Sequence, residues 1–234
     1  MRLRLSLCTW IADWPPIRQV TPINLALTAG RPDVEHVILD VGTHLHTRKQ
    51  TREWLAALAP PPRLRIIERP LEPLHFARAY NSVSRDATGD VLAWLDGDNV
   101  IGPDYATRVL AEITADPLAI VHAWTGDWLD GTCGRLAMHR DLFERIGGYD
   151  EALGPAGSQD LDLRDRAQAA GGRVVVIQDP RVVGLAIRTS EEAKSQHLSE
   201  DYRKTNSSNA AISRANIAAG RLVANQVVGT LRVP

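Results

Sequence analysis

Cysteine is scarce in this chain. There are two, Cys8 and Cys133, and their spacing does not suit a shared metal ion. So few thiols point to a reducing compartment rather than a disulfide framework. Lysine is also rare, limited to Lys49, Lys194 and Lys204. The basic residues are scattered and the net charge is −1, so there is no basic stripe and nucleic acid is excluded as the main partner. No apolar run approaches the length of a membrane span, so no integral membrane segment is expected. The N-terminus, MRLRLSLCTW, alternates Leu3, Leu5 and Leu7 as a strand does, and is too short and too interrupted for a signal peptide. Internal repeats and low-complexity segments are absent. The expected class is a soluble, cytoplasmic protein, with peripheral membrane contact and a homo-oligomer left open. Its 234 residues at 44% hydrophobic content suffice for one sizeable core, or a core with a small appendage.

What is present is an alternation of short apolar runs and helical patterns. Residues 3 to 9, 34 to 40 (VEHVILD), 64 to 68 (LRIIE) and 91 to 95 (VLAWL) read as strands. Between them lie helical patterns at 17 to 27, closed by Gly30; at 48 to 59, stopped by Pro60-Pro61-Pro62; and at Phe76 to Ala87, with Gly89 beyond its end. A proline-bearing turn at Trp14-Pro15-Pro16 precedes the first of these helices, and a fourth runs from Tyr105 to Ala115. Such alternation implies crossover connections and a parallel sheet covered on both faces. After about residue 118 the rhythm changes: LAIVHAW, GRLAMH and RVVVI alternate with helices at Asp141 to Ile146 and Asp160 to Ala170. We expect one α/β domain over residues 1–189 with a mixed central sheet and helices on both faces. Residues 190–234 form a polar extension that is helical over Ala210 to Ala219.

Within this pattern, VLAWLDGDN poses a problem. A fully apolar strand, Val91 to Leu95, ends in Asp96-Gly97-Asp98. On an extended chain the two carboxylates point the same way, roughly 7 Å apart. Like charges at one mouth repel and raise one another's pKa. A hard cation such as Mn²⁺ or Mg²⁺ removes that cost, and it favours one or two carboxylates plus substrate phosphates. Asp-Gly and Asp-Asn are also common in solvated turns, but a buried strand in front of them favours a site. Asp40 ends another strand at the same edge, where ligands of open α/β sheets bind.

VLAWLDGDN resembles the Asp-x-Asp motif of glycosyltransferases with the GT-A (Rossmann-like) fold. Other segments fall in the same order. Ser6-Leu7-Cys8-Thr9 resembles the first strand that opens the nucleotide pocket. VILDVGT, 37 to 43, resembles the segment whose aspartate contacts the base in many family 2 enzymes. Ala77-Arg78-Ala79-Tyr80-Asn81 resembles A-x-A-R-N, with Tyr80 where arginine is common. FERIGGYDEALGPAGSQDLDLRDRAQAAGG, 143 to 172, resembles the acceptor-side signature G-G-[FY]-D-E…G-x-E-D-x-D-L-x-x-R, shared with galactosyltransferase-like C-terminal domains. Here Gln159 replaces the usual glutamate, while Asp160, Asp162, Leu163 and Arg166 match. The resemblance covers about residues 3 to 187.

It implies a metal-dependent glycosyltransferase that moves a sugar, most readily from a UDP-sugar, to a glycan, lipid-linked or small-molecule acceptor. Residues 1–117 would bind the donor and 118–189 the acceptor. Asp98 would bind the metal and Asp96 the ribose or a metal-bound water, with Thr9, Asp40 and Asn81 lining the donor site. His197 is a candidate further metal ligand. Asp160, after a flexible Gly-Pro-Ala-Gly-Ser run and at a helix start, is the candidate general base of an inverting reaction. Asp162 reads as a charge favourable to the same helix terminus. Trp124 and Trp128 flank Gly126-Asp127, and their indole faces suit an acceptor sugar; Asp127 completes that group. Two other readings remain. A nucleotidyltransferase would want a glycine-rich phosphate loop, and Cys8 to Arg18 contains no glycine. A non-catalytic nucleotide-sugar-binding module is disfavoured by the intact Asp-x-Asp and kept open by Gln159.

Overall fold

In the computed structural model of the chain, residues 2–12, 16–42, 45–58, 63–128, 130–187 and 202–226 are described; for 45–48, 51 and 52 this concerns the backbone alone. The order is β1 (Leu5–Ile11), α1 (Ile17–Leu27), β2 (Val34–Asp40), α2 (Leu45–Ala56), β3 (Leu64–Glu68), α3 (Phe76–Asp86) and β4 (Val91–Trp94). There follow β5 (Asn99–Val100), α4 (Tyr105–Ala115), β6 (Ala119–Ala123), β7 (Leu136–His139), α5 (Arg140–Arg145) and α6 (Gln159–Ala169). Then come β8 (Arg173–Ile177), α7 (Pro180–Val183), β9 (Leu185–Ala186) and a C-terminal helix, α8 (Tyr202–Ala218). The Pro60-Pro61-Pro62 stop and most of the Trp14-Pro15-Pro16 turn lie outside the described residues.

Seven strands form one sheet in the order β3-β2-β1-β4-β7-β6-β8, and β5 pairs with β9 in a separate ribbon. β3, β2, β1 and β4 run parallel; β7 is antiparallel to both β4 and β6, and β8 is parallel to β6. The sheet is therefore mixed, as expected. The chain goes outward from β1 to β3 and then returns to place β4 on the other side of β1. That reversal is a topological switch point, where the carboxyl ends of strands leave a crevice. β6 runs in the same direction as β4, so Trp124, just past β6, and Asp96, just past β4, lie at the same edge.

Alternation along the strands decides which face each residue serves. Cys8, Trp10, Leu92 and Trp94 pack on one face with residues of α3, α5 and α6. Leu5, Leu7, Val91 and Ala93 pack on the other with α4 and α7, and Ile11 and Ile38 pack with α1 and α2. Both faces being covered explains why VLAW is apolar throughout. Trp94 is fully buried, meets Phe143 at 4.9 Å and donates its indole N–H to Ser84 Oγ at 2.9 Å. Truncating it to alanine would cost about 3–5 kcal/mol. α3 turns a tightly packed side, Ala77, Tyr80, Val83 and Ser84, toward the sheet, and the His75 side chain caps it.

The C-terminal helix starts earlier than the sequence pattern implies. Asn206, Ser207, Ser208 and Asn209 have modest helix propensity, and packing on α6 overrides it. Beyond it the Ala224 N–H donates to Ile146 O at 2.9 Å. Gly147 (φ +73°) could not carry a side chain there, since a β-carbon would sit 2.1 Å from Ala224 O. Among the described residues no helix is long and apolar enough to cross a membrane.

Candidate active site

Asp96 to Asn99 is not extended. The Asn99 N–H donates to Asp96 O at 3.0 Å, closing a turn immediately after β4. This corrects the expectation of two carboxylates projecting side by side from an extended strand end, and it gives them unlike surroundings. Asp96 is partly exposed and accepts from Tyr80 Oη at 2.6 Å. Asp98 is buried and accepts from Asn99 Nδ2 at 2.7 Å. Burial first, and the charge of Asp96 second, push the Asp98 carboxyl up to about 7.

Several distant residues hold this turn. The buried amide of Asn24, on α1, donates to Asn99 O and accepts from Ile101 N–H, each at 3.0 Å. Ile187 N–H donates to Asp98 O at 2.9 Å from the end of the β9 strand. Arg135, 1% exposed, donates to Asn99 Oδ1, to Val183 O and, at 2.6 Å, to Leu185 O. One buried guanidinium thus ties β7, the Asp98 turn and the β9 ribbon together.

Gly134, the residue before Arg135, abuts Asp160. A β-carbon there would lie 3.0 Å from Asp160 Oδ2. The Asp98 turn and Asp160 therefore flank the same dipeptide, Gly134-Arg135. Tyr80 and Tyr149 stack at 5.0 Å in the same region, and both phenols are pushed up by burial, with the charges of Asp96 and Asp160 adding to it. Asp160 is the second residue of α6, after Gln159. Gln159 is buried and donates to Gly154 O at 3.0 Å, which the usual glutamate could not do. The run before it, expected to be flexible, is hydrogen-bonded on both sides: Pro155 O accepts from Phe76 N–H at 2.9 Å, and the Gly154 backbone bonds the Asn209 side chain. Asp162 is no simple helix-terminus charge, because it is buried and bonds Arg166 Nε at 2.8 Å. Arg166 in turn donates to Ile146 O and Gly148 O, so this part of the signature locks the Gly147-Gly148 corner.

The other expected residues fall as follows. Asp40 is buried at the end of β2, beside Ile11, and accepts from Gly42 N–H at 3.0 Å. Thr9 lies in β1 opposite Ile38. Both N–H groups of the Asn81 amide are engaged, with Tyr149 O and Glu151 Oε1, and its oxygen accepts from Tyr149 N–H. Trp124 and Trp128 contact one another at 4.6 Å, with His122 stacked beneath Trp124 at 4.9 Å; Trp128 is 52% exposed and Asp127 is exposed. His197 lies outside the described residues. Among the described residues, no cluster of three or more His, Cys, Asp or Glu side chains could hold a metal ion alone.

A model of glycosyl transferase family 2 matches residues 23–147, which is more than half of the chain. The chain belongs to glycosyl transferase family 2. O-antigen biosynthesis protein RfbC of Myxococcus xanthus is 38% identical over 60 residues, which are 26% of this chain and only 5% of that relative's length. Among solved structures, the mannosyltransferase PcManGT of Pyrobaculum calidifontis, in complex with GDP-Man and Mn²⁺, superimposes with a TM-score of 0.66 at 18% identity, covering 99% of this chain and 77% of that one. GalNAc-T7, crystallised with UDP, GalNAc and Mn²⁺, gives 0.64 at 14% identity, over 75% of this chain and 42% of the other. The fold of this family 2 protein is GT-A.

Asn24, Arg135 and Asn209 carry no motif in the sequence and escaped the sequence reading. An arginine just before a strand and asparagines on helices look like surface residues. Only their burial reveals them, and burial of a charged or amide side chain demands partners.

Proposed function

We propose that this family 2 protein transfers a hexose from a UDP-sugar to an acceptor hydroxyl with inversion, using a divalent cation held at Asp98. The observation that carries the reading is the Asp98 carboxyl, buried at the switch point and pushed up to about 7. Such a group is unfavourably placed until a positive charge joins it. Its hard oxygen donors, with Asp96 nearby, fit Mn²⁺ or Mg²⁺ whose remaining ligands are phosphate oxygens or a residue such as His197. When bound, the cation would stabilise the negative charge that develops on the departing diphosphate. Mn²⁺ and a nucleoside diphosphate accompany both structural relatives, which supports the same pairing here.

The remaining steps belong to the chain itself. Asp40 accepts a hydrogen bond from the imide N–H of uracil, and Thr9 forms part of the wall beside it. Asn81 serves the donor site by fixing α3 to the Tyr149–Glu151 turn. Asp160 takes the proton of the acceptor hydroxyl as its oxygen bonds to the anomeric carbon, while the bond to UDP breaks and its electron pair leaves with the diphosphate. Trp128, with Trp124 and Asp127, receives the acceptor at the far end of the crevice. Residues 1–117 thus serve the donor and 118–189 the acceptor. Guanine also offers a ring N–H to Asp40, with an exocyclic amine beside it, and the GDP-Man complex of the mannosyltransferase keeps a GDP-sugar as the second reading.

The test is a screen of UDP-glucose, UDP-galactose, UDP-N-acetylglucosamine and GDP-mannose for hydrolysis with and without MnCl₂, followed by NMR of the released sugar. Metal-dependent release of UDP, with anomeric configuration opposite to that of the donor, is expected. Binding without turnover would turn the reading into a binding module. Retained configuration would remove the base role from Asp160.

A further inference from the structure

The C-terminal helix reaches into the loop before Asp160 through two asparagines, Asn209 foremost. Asn209 is 1% exposed. Its Oδ1 accepts from Gly154 N–H at 2.7 Å. Its Nδ2 lies 3.3 Å from Gly154 O, 3.1 Å from Ala156 O and 2.8 Å from Gly157 O. One turn earlier on α8, Asn206 Oδ1 accepts from Ser158 Oγ at 2.8 Å, and Ser158 is held at φ 60°, a left-handed conformation uncommon for serine. The two glycines of this loop leave room for α8: a β-carbon on Gly154 would lie 2.8 Å from Thr205 Cγ2, and one on Gly157 2.8 Å from Asn206 Cβ. On its other side the loop is bonded to the start of α3, through His75 to Leu153 O at 3.0 Å and Phe76 N–H to Pro155 O at 2.9 Å.

We propose that Asn209 is a positioning residue for Asp160, templating the Gly154–Gly157 backbone so that α6 begins with that carboxylate at the crevice. A loop carrying two glycines and a proline has no helix or sheet ladder to satisfy its polar groups. An amide side chain can accept from one backbone N–H and donate to carbonyls at once, so it does for this loop what a neighbouring strand does elsewhere. The proposal rests on the reading of Asp160 as the base that takes a proton from the attacking oxygen. It adds that the base is aimed by a helix far along the chain from it.

A double-mutant cycle tests this, with the nucleotide-sugar hydrolysed fastest in the screen above, MnCl₂, and water as acceptor. In that reaction the water oxygen bonds to the anomeric carbon, the bond to the nucleoside diphosphate breaks with its electron pair, and the water proton goes to Asp160. Asp160→Asn alone should lower turnover by about 10² to 10⁴. Asn209→Ala alone should lower it roughly 10- to 100-fold, as misplacement of a catalytic group does, with donor KM and UDP·Mn²⁺ affinity unchanged. In the Asp160→Asn background the Asn209→Ala change should alter the remaining rate by no more than about twofold. Equal losses in both backgrounds would make Asn209 a merely structural residue and overturn the proposal; so would full activity in Asn209→Ala. Near wild-type turnover in Asp160→Asn would instead remove the base reading itself, and no hydrolysis of any donor would remove both. Should Asn209→Ala not fold, Asn206→Ala takes its place in the same cycle, with an expected loss of several-fold and the same dependence on Asp160.

Discussion

The turn that carries Asp98 and the helix start that carries Asp160 are built differently. Asp98 follows directly from a buried strand, β4, whose neighbour β1 is the first strand of the chain. Asp160 follows a loop that leans on α3 from one side and on α8 from the other. At the first, the sheet brings the chain to the crevice, and Asn24 and Arg135 hold the turn beyond it. At the second, side-chain amides and a buried ion pair do the placing. Rigidity around a carboxylate can therefore come from backbone ladders or from side-chain templates. The second kind depends on single residues and is easier to break.

The largest effect that would sharpen this contrast is at Asp98. Asp98→Asn should abolish Mn²⁺-dependent binding of UDP, read by calorimetry. The same change should leave the metal-free protein equally or more stable at pH 8. The sign follows from a folded pKa of about 7 against an ordinary 3.8: above that range the ionised carboxyl is worse off folded than unfolded, so removing its charge relieves a cost. A fall in stability with metal binding intact would remove Asp98 from the metal site.

Arg135→Met comes next. It removes the charged donor from Asn99 Oδ1 and from the carbonyls of Val183 and Leu185, which should cost about 3 kcal/mol or more. Urea unfolding would show a lower midpoint at unchanged slope. A change under about 1 kcal/mol would mean that the Asp98 turn, like the sheet beneath it, needs no side-chain tie.

In the parallel part of the sheet, His36 offers a pH test. It is buried with Nε2 2.8 Å from Thr28 Oγ1, and burial, helped by Arg63, pushes it down from 6.5 to about 4. The unfolded chain then binds more protons between those values. Its stability contribution is complete above pH 6.5 and is lost as pH falls toward 4, in total about 3 kcal/mol. Unfolding of wild type and His36→Asn at pH 7.5 and 4.5 should show the acid loss shrinking in the variant. The smallest effect is at Asp40: Asp40→Ala should weaken UDP binding without metal by roughly 1.5–3 kcal/mol. Unchanged UDP affinity with reduced turnover would move Asp40 out of the base pocket.

Much of the parallel part was legible in the chain. LRIIE and VEHVILD are strands at the positions their composition implies, because β-branched runs of that length suit a doubly covered sheet. The buried strand before Asp96 and Asp98 was also legible, because Val91 to Trp94 is apolar throughout. The acceptor-side signature was visible as a motif, yet its division of labour was not. Asp162 read as a helix-terminus charge and Arg166 as a match to the signature, and the two form a buried pair; Asn81 bonds Tyr149 and Glu151, which its motif position did not reveal.

By itself the sequence determined the element order, the parallel core and the presence of acids at strand and helix ends, because periodicity and chain-local chemistry record those directly. Only the tertiary structure decided which polar side chains are buried and what they satisfy. Asn24, Arg135 and Asn209 meet backbone groups far from them in the chain, and local pattern carries no trace of such a partner. The requirement that every buried donor and acceptor be paired acts on the folded whole. It is that requirement which brings α8 to the loop before Asp160, and Arg135 to the turn that carries Asp98.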